Sequence, residues 1–503
     1  MQVSIEGGET TPITLPFPIY YMGDVSPDRA EALLIAPPGK PMAAALWAMP
    51  VPGGHPRRLG EIMGSDAAWS PDGDQIAYTL GQDLYIAGRD GSDVRKLASV
   101  PGYAYWPRWS PDGSRIRFTS AEAPPNTREL YEVRSDGSGF RRLLSGWNST
   151  PRECCGSWTP DGHYYLFQSV RNGMSSIWAT REGTGFWRKV NHQPVQLLVG
   201  QMNALVPLPS RDGKRIFCVG TMPRGELVRV NPGSGQFSPY LGGLSAEGVT
   251  FSPDGEWVTY VIYPEGTLWR GRTDGTDRRQ ITFPPMDVGL PRWSPDGRLI
   301  AFSGRNPGGR WQIYVVPSEG GNPEPALPEA NDQLDPTWSP DGKTMAYGRF
   351  AVEAQHSKGN LILLLDLKTK EISPVPDSAG LFSPRWSPDG KSILALSSTS
   401  EKLVVFDVAS RKWTDLVTMP CNYPNWSRDS RYIFFNNTYE RKLRIYRLRV
   451  SDRKTEMVAE IPDIGRLAMG RFGWWTGLGP ADSMLALRDI SIQELYALDW
   501  QAP

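Results

Sequence analysis

Proton-transfer chemistry and soft-metal binding have little material in this chain. Its 503 residues hold four histidines, His55, His163, His192 and His356, and four cysteines, Cys154, Cys155, Cys218 and Cys421. Adjacent Cys154 and Cys155 lack the two-residue spacer of a zinc knuckle, and no His or second Cys pair flanks them at ligand spacing. Small buried thiols are one reading of the four; a disulfide from one of the pair to Cys218 or Cys421 is the other. A serine hydrolase needs a Gly-x-Ser-x-Gly elbow, an acid and a downstream His. The elbow is absent, and no His follows position 356. Asn231-Pro232-Gly233-Ser234-Gly235 reads as a hairpin turn, because no Gly-Lys-Ser/Thr follows it. The expectation is a chain with no catalytic residues, no cofactor-binding residues and no metal ligands.

Many of the aspartates belong to one recurring phrase, seen as Trp293-Ser294-Pro295-Asp296-Gly297 followed by Leu299-Ile300-Ala301-Phe302. Pro295 presets the first corner of a type I turn, and Gly297 can take the left-handed conformation that closes a bulged hairpin. The phrase recurs at Ser26-Pro27-Asp28-Arg29, 69–73, 109–113, 158–162, 210–213, 251–255, 338–342, 386–390 and 426–430, and in worn form at 480–483. With 293–297 that makes eleven copies, spaced by about 40 to 53 residues, the period of propeller blades. Each copy is followed by a strand such as Asp83-Leu84-Tyr85-Ile86 or Thr267-Leu268-Trp269, then an Asp-Gly turn and a basic strand. Four short strands per repeat make one blade, and the repeated Trp is expected to fill the wedge between neighbouring blades.

Residues 1 to about 15 read as a half-blade, so eleven copies and one half-blade make twelve units. Propellers usually have about four to eight blades. The expected fold is therefore all-β, with two six-bladed rings in tandem. Equal division places one ring in residues 1–242, its first blade incomplete, and the other in 243–503. Basic pairs at Arg57-Arg58, Arg95-Lys96, Arg141-Arg142, Arg188-Lys189 and Arg278-Arg279 fall in fourth strands. There they would blunt an outer edge. A nucleic-acid stripe is the alternative, but the pairs are dispersed around a rim and lack interleaved aromatic platforms.

Composition agrees with a turn-rich β protein, with Gly 52, Pro 46 and Trp 19. Lys+Arg 54 balances Asp+Glu 54, so no global field attracts nucleic acid or anionic membrane. No apolar h-region follows Met1 and no run of eighteen apolar residues occurs, so the chain as given reads as soluble and unanchored.

The Trp-Ser-Pro-Asp-Gly phrase with its Leu-Tyr and Asp-Gly second half resembles the WD40-like Pro-Asp repeat of TolB-type propellers. Glu153-Cys154-Cys155-Gly156, the stretches 223–229 and 263–269, and the ending 494–500 resemble the sensory region of bacterial, notably acidobacterial-type, regulators. In that group a winged-helix DNA-binding domain is joined through a membrane helix to a TolB-like propeller. The resemblance implies a non-catalytic, protein-interacting or ligand-sensing module without direct nucleic-acid binding or membrane insertion by this chain. It would be extracytoplasmic as part of a membrane-linked regulator, and cytoplasmic if it stands alone. The alternatives are a propeller enzyme, hydrolase or lyase, and the propeller of a prolyl-oligopeptidase-like peptidase without its hydrolase domain.

Overall fold

The structure, a computed structural model, describes residues 13, 15, 17–40, 43–51, 53–122, 127–148, 151–171, 174–183, 193–198, 202–327, 331–350, 359–439 and 442–502. The expected half-blade lies outside the described residues except for Ile13 and Leu15, which pack against Ala32, Leu34 and Met49.

Each repeated turn closes through the same local bonds. In the copy at 294–299, Ser294 Oγ donates to Asp296 Oδ1 (2.6 Å) and accepts from the Leu299 amide (2.9 Å). The Gly297 amide donates to the Ser294 carbonyl at 2.9 Å. Gly297 has φ +71°; where the phrase lacks glycine, Arg29 and Ser430 take the same left-handed backbone at +63° and +60°. The Ser or Thr to Asp bond recurs at Ser26, Ser70, Ser110, Thr159, Ser210, Ser252, Ser339, Ser387 and Ser427.

These bonds carry a pH dependence. Asp72, Asp112, Asp296 and Asp341 are held below the usual carboxylate range, first by the hydroxyl each accepts. A carboxyl depressed in the folded state contributes stability that is present above about pH 4 and lost as pH falls through the depressed value. Urea unfolding should therefore show a falling midpoint between about pH 4 and pH 2. Ser110→Ala should flatten part of that fall, and an unchanged profile would disprove the link.

The chain divides into two units, one formed by Met1–Met222 with Gln493–Pro503 and the other by Pro223–Ile492. In the first unit, four-stranded antiparallel sheets span 21–64, 66–99, 103–142 and 153–196. A fifth sheet pairs Asn203–Pro209, Arg215–Met222 and Ile492–Asp499. Among the described residues the second unit has six four-stranded blades. Five are continuous in sequence, at 246–280, 287–325, 332–374, 381–418 and 422–461. The sixth joins Phe237–Pro239 and Gly225–Val230 to Met484–Asp489 and Thr476–Leu478. The inner strands of this unit touch in order, and Thr476–Leu478 meets both Asn422–Trp426 and Ala246–Phe251, which closes the ring.

The observed division thus falls at Met222, not at the expected 242/243. An equal count of turns cuts through a blade whose outer half, 225–239, precedes the ring's other blades and whose inner half, 476–489, follows them. The second unit is inserted between the second and third strands of the fifth sheet.

The repeated Trp links blades. Trp109 donates its indole N–H to the Ala68 carbonyl (3.3 Å), Trp293 to Thr250 (3.3 Å), Trp338 to Arg292 (3.2 Å) and Trp426 to Arg385 (3.0 Å). Each acceptor immediately precedes the equivalent aromatic of the preceding blade. Trp386 instead bonds Gly390 in its own turn. Several edge-strand cations are paired across their sheets, as in Arg57 with Glu31 (3.0 Å), Lys96 with Asp83 (2.8 Å) and Arg142 with Glu129 (2.8 Å).

Candidate functional site

An ordinary strand sends successive side chains to opposite faces. The inner strands here break that rule at a recurrent bulge, seen between Cys154 and Ser157, Gly289 and Arg292, Leu334 and Thr337, Phe382 and Arg385, and Asn422 and Asn425. At the bulges, Trp106, Cys155, Leu290, Asp335, Ser383 and Tyr423 adopt positive φ. That conformation costs a non-glycine residue roughly 1–3 kcal/mol, and such strain concentrates at functional positions. Bulges also re-aim side chains.

In the first unit the re-aimed groups converge around Asp66, which is 1% exposed. It accepts from the Tyr21 hydroxyl (2.5 Å), the Ala67 amide (2.7 Å) and the Trp106 amide (2.8 Å). Burial pushes the Asp66 carboxyl up, against the pull of Arg108. Asp24 is raised in the same way and accepts from the Val25 and Trp69 amides. The Arg108 guanidinium lies 4.2 Å from the Trp106 ring centroid, and its hydrogen bonds go to the Pro107 carbonyl (2.7 Å) and the Gly23 carbonyl (3.3 Å). A cavity of about 300 Å³ opens here, lined by Asp24, Trp69, Pro71, Arg108 and Arg211 among others. Arg211 reaches the Pro27 carbonyl at 2.5 Å.

The second unit builds a more tightly paired cluster. Asp335 receives Arg385 at 2.7 Å and the Ser383 hydroxyl at 2.6 Å, with Arg292 at 3.7 Å. Burial and the neighbouring Arg385 bring the Arg292 guanidinium down to about 9, against the pull of Asp335. Glu247 accepts from the Arg471 amide at 3.2 Å, and the Arg471 side chain pairs with Asp287. Burial, then Glu247 and Asp335, push the Tyr423 phenol well up.

Among the described residues, the histidines and cysteines do not assemble into a catalytic group. His55 is exposed, exposed His163 sits 3.2 Å from Asp161 of its own turn, and His192 and His356 lie outside the described residues. Cys218 and Cys421 are buried in different units, while Cys154 and Cys155 touch each other. Among the described residues no group of three or more His, Cys, Asp or Glu is placed to hold a metal ion.

Sequence reasoning passed over Arg108, Arg292 and Arg385, although a signal exists. All three stand in the triplet Pro-Arg-Trp, at 107–109, 291–293 and 384–386. In each, the guanidinium bonds the carbonyl of its own proline, at 2.7, 2.9 and 2.8 Å. The triplet thus marks an arginine re-aimed by the bulge.

The PD40 family model, the TolB beta propeller domain, matches residues 65–282 and 319–463. The chain belongs to this family. Among relatives of this TolB-type chain, the Bacillus subtilis protein named uncharacterized peptidase YuxL is 24% identical over 222 residues. That match covers 42% of this chain and 30% of the relative, so the chain spans less than a third of that protein's length. Uncharacterized protein Atu1656 of Agrobacterium fabrum is 25% identical over 260 residues, covering 47% of this chain and 83% of its own. The solved structure of a putative TolB from Agrobacterium tumefaciens covers 53% of this chain and 99% of that one, at 19% identity and TM-score 0.42. Among the described residues no helix is long and apolar enough to cross a membrane.

Proposed function

We propose that this TolB-type chain is a non-catalytic recognition module that takes an anionic group, carried by a small ligand or a protein partner, into the cavity of its first unit. The observation that carries this reading is Arg108. Its guanidinium lines the cavity, stacks on Trp106 and donates to the Pro107 and Gly23 carbonyls; the buried Asp24 and Asp66 carboxyls share its field but form no ion pair with it among the described residues, so its N–H groups can still meet a carboxylate or phosphate. Exposed Arg211 adds a second cation at the rim, and the Trp69 and Trp109 faces supply apolar surface.

The module serves as the sensory part of a bacterial transcriptional regulator whose DNA-binding domain is not in this chain. The support is the resemblance of 153–156, 223–229, 263–269 and 494–500 to acidobacterial-type regulators. In a membrane-linked regulator it would work outside the cytoplasm.

Thermal denaturation in the presence of mono- and dicarboxylates and organic phosphates tests the reading. A ligand at a hundred times its dissociation constant stabilises by about 2.7 kcal/mol. A saturable rise in melting temperature is expected with the intact chain and not with Arg108→Ala. Equal stabilisation of both proteins, or no response to any anion, would overturn the assignment.

A further inference from the structure

The bulge in Glu153–Trp158 does something an ordinary strand cannot. Strand pleating holds adjacent side chains on opposite faces, so two neighbouring cysteines are normally kept apart. Here the register shifts between Cys154 and Ser157 and Cys155 takes φ +58°. Both thiols consequently meet, with Sγ to Sγ at 2.7 Å. The Cys155 amide donates to Thr119 Oγ1 (3.3 Å) and the Trp106 indole N–H to the Gly156 carbonyl (3.2 Å), so two side chains of the preceding blade pin the bulge. Arg128 Nη1 lies 3.8 Å from Cys154 Sγ. Cys154 is fully buried, whereas Cys155 is half-buried.

We propose that Cys154 and Cys155 form a redox-active vicinal dithiol, closed to a disulfide by small hydroperoxides and reopened by thiols. One sulfur attacks the peroxide, breaking its O–O bond; a sulfenic acid forms and one water, or an alcohol, leaves. The second sulfur then displaces the sulfenic oxygen as water, forming the S–S bond. Two thiols lose two protons and two electrons, and the peroxide accepts them. Adjacent Cα atoms stand about 3.8 Å apart, closer than the roughly 4.4–6.8 Å of relaxed disulfides, so the eight-membered ring is strained and easily reduced.

The electrostatics favour this pair over the other thiols. The hydrogen bond from Cys155 holds the Cys154 thiol down, and Arg128 helps, while Cys155 is pushed up by that same bond and by burial. Burial raises the lone Cys218 thiol and pushes Cys421 up to about 12. Neither Cys218 nor Cys421 has a second thiol in contact, so closure to a disulfide is directed to positions 154 and 155 by the meeting of their sulfurs.

The test exposes the full native chain to limiting hydrogen peroxide, then alkylates free thiols with N-ethylmaleimide in denaturant and maps tryptic peptides by mass. The peptide 153–171 should emerge unalkylated and about 2 Da lighter than its reduced form, with dithiothreitol restoring both labels. Its oxidation should outpace that of Cys218 and Cys421 by about tenfold or more. In Cys154→Ser and Cys155→Ser the remaining sulfur should gain oxygen instead, and Cys218→Ser should leave the closure intact. Two alkylatable thiols persisting in 153–171, or oxidation of Cys218 at an equal rate, would overturn the proposal. The outcome is independent of the anion titration, because it reads sulfur chemistry and not ligand binding.

Discussion

Truncation after Ile492 is expected to strip hydrogen-exchange protection from 203–222 while leaving that of 381–461 unchanged. The removed residues supply the third strand of the fifth sheet, beside Arg215–Met222. Tyr496 and Leu498 pack on Ile177, Ala204 and Cys218, and Trp500 packs on Tyr164 and Ile216. The Trp500 amide donates to the Lys214 carbonyl at 2.7 Å. Contact is close: a Cβ at Gly220 would fall 2.4 Å from both the Met202 sulfur and the Tyr496 ring. Losing three partly buried large side chains together with a ladder of hydrogen bonds forfeits on the order of 5 kcal/mol. That approaches the whole stability of an ordinary domain, about 5–15 kcal/mol. The second unit keeps its own closure, since Gly225–Val230 still pairs with Met484–Asp489. Undiminished protection of 203–222 in the truncated chain would refute the assignment of the C-terminal strand to the first unit.

Trp338→Ala should lower stability by about 3–5 kcal/mol, the usual cost of deleting a buried aromatic and leaving its cavity. Trp338 is 8% exposed and packs with Ala301 and Ile313 of the preceding blade and Met345, Tyr347 and Leu363 of its own. Its indole bond to the Arg292 carbonyl is lost as well. Because Arg292 and Trp338 lie on adjacent blades, the seam between those blades loosens along with the local core. Denaturant unfolding should show the lowered midpoint. Anion binding to the surviving folded fraction should be nearly unchanged, because Arg108 and its cavity belong to the other unit. A retained midpoint with lost binding would mean that Trp338 is a recognition residue.

Local chemistry made much of the fold legible in the sequence. Ser294, Asp296 and Gly297 close their turn through bonds that span five residues, so the phrase carries its own conformation wherever it occurs. Repetition of that phrase with four strands per period then makes a tandem propeller the consistent solution. The wedge role of Trp was legible for the same reason, because one residue type recurs at one place in each repeat.

What only the tertiary structure decided is long-range pairing and the direction of side chains on the inner strands. Gly225 pairs with Asp489 and the Arg224 amide bonds Ser491, partners more than 260 positions apart, and no local preference encodes that choice. This is why the equal division of turns misplaced the boundary. The bulges are harder to read: Cys154-Cys155 scans as ordinary alternating strand, and the Pro107-Arg108-Trp109 triplet flags an arginine without saying where its side chain goes. Only the pinning of each strand by its neighbouring blades turns the two thiols together and sends Arg108 to the cavity. The sequence by itself determined the repeated unit, because turn chemistry acts within a few bonds. The tertiary structure decided the site, because side-chain direction at a bulge depends on what the neighbouring blades press against it.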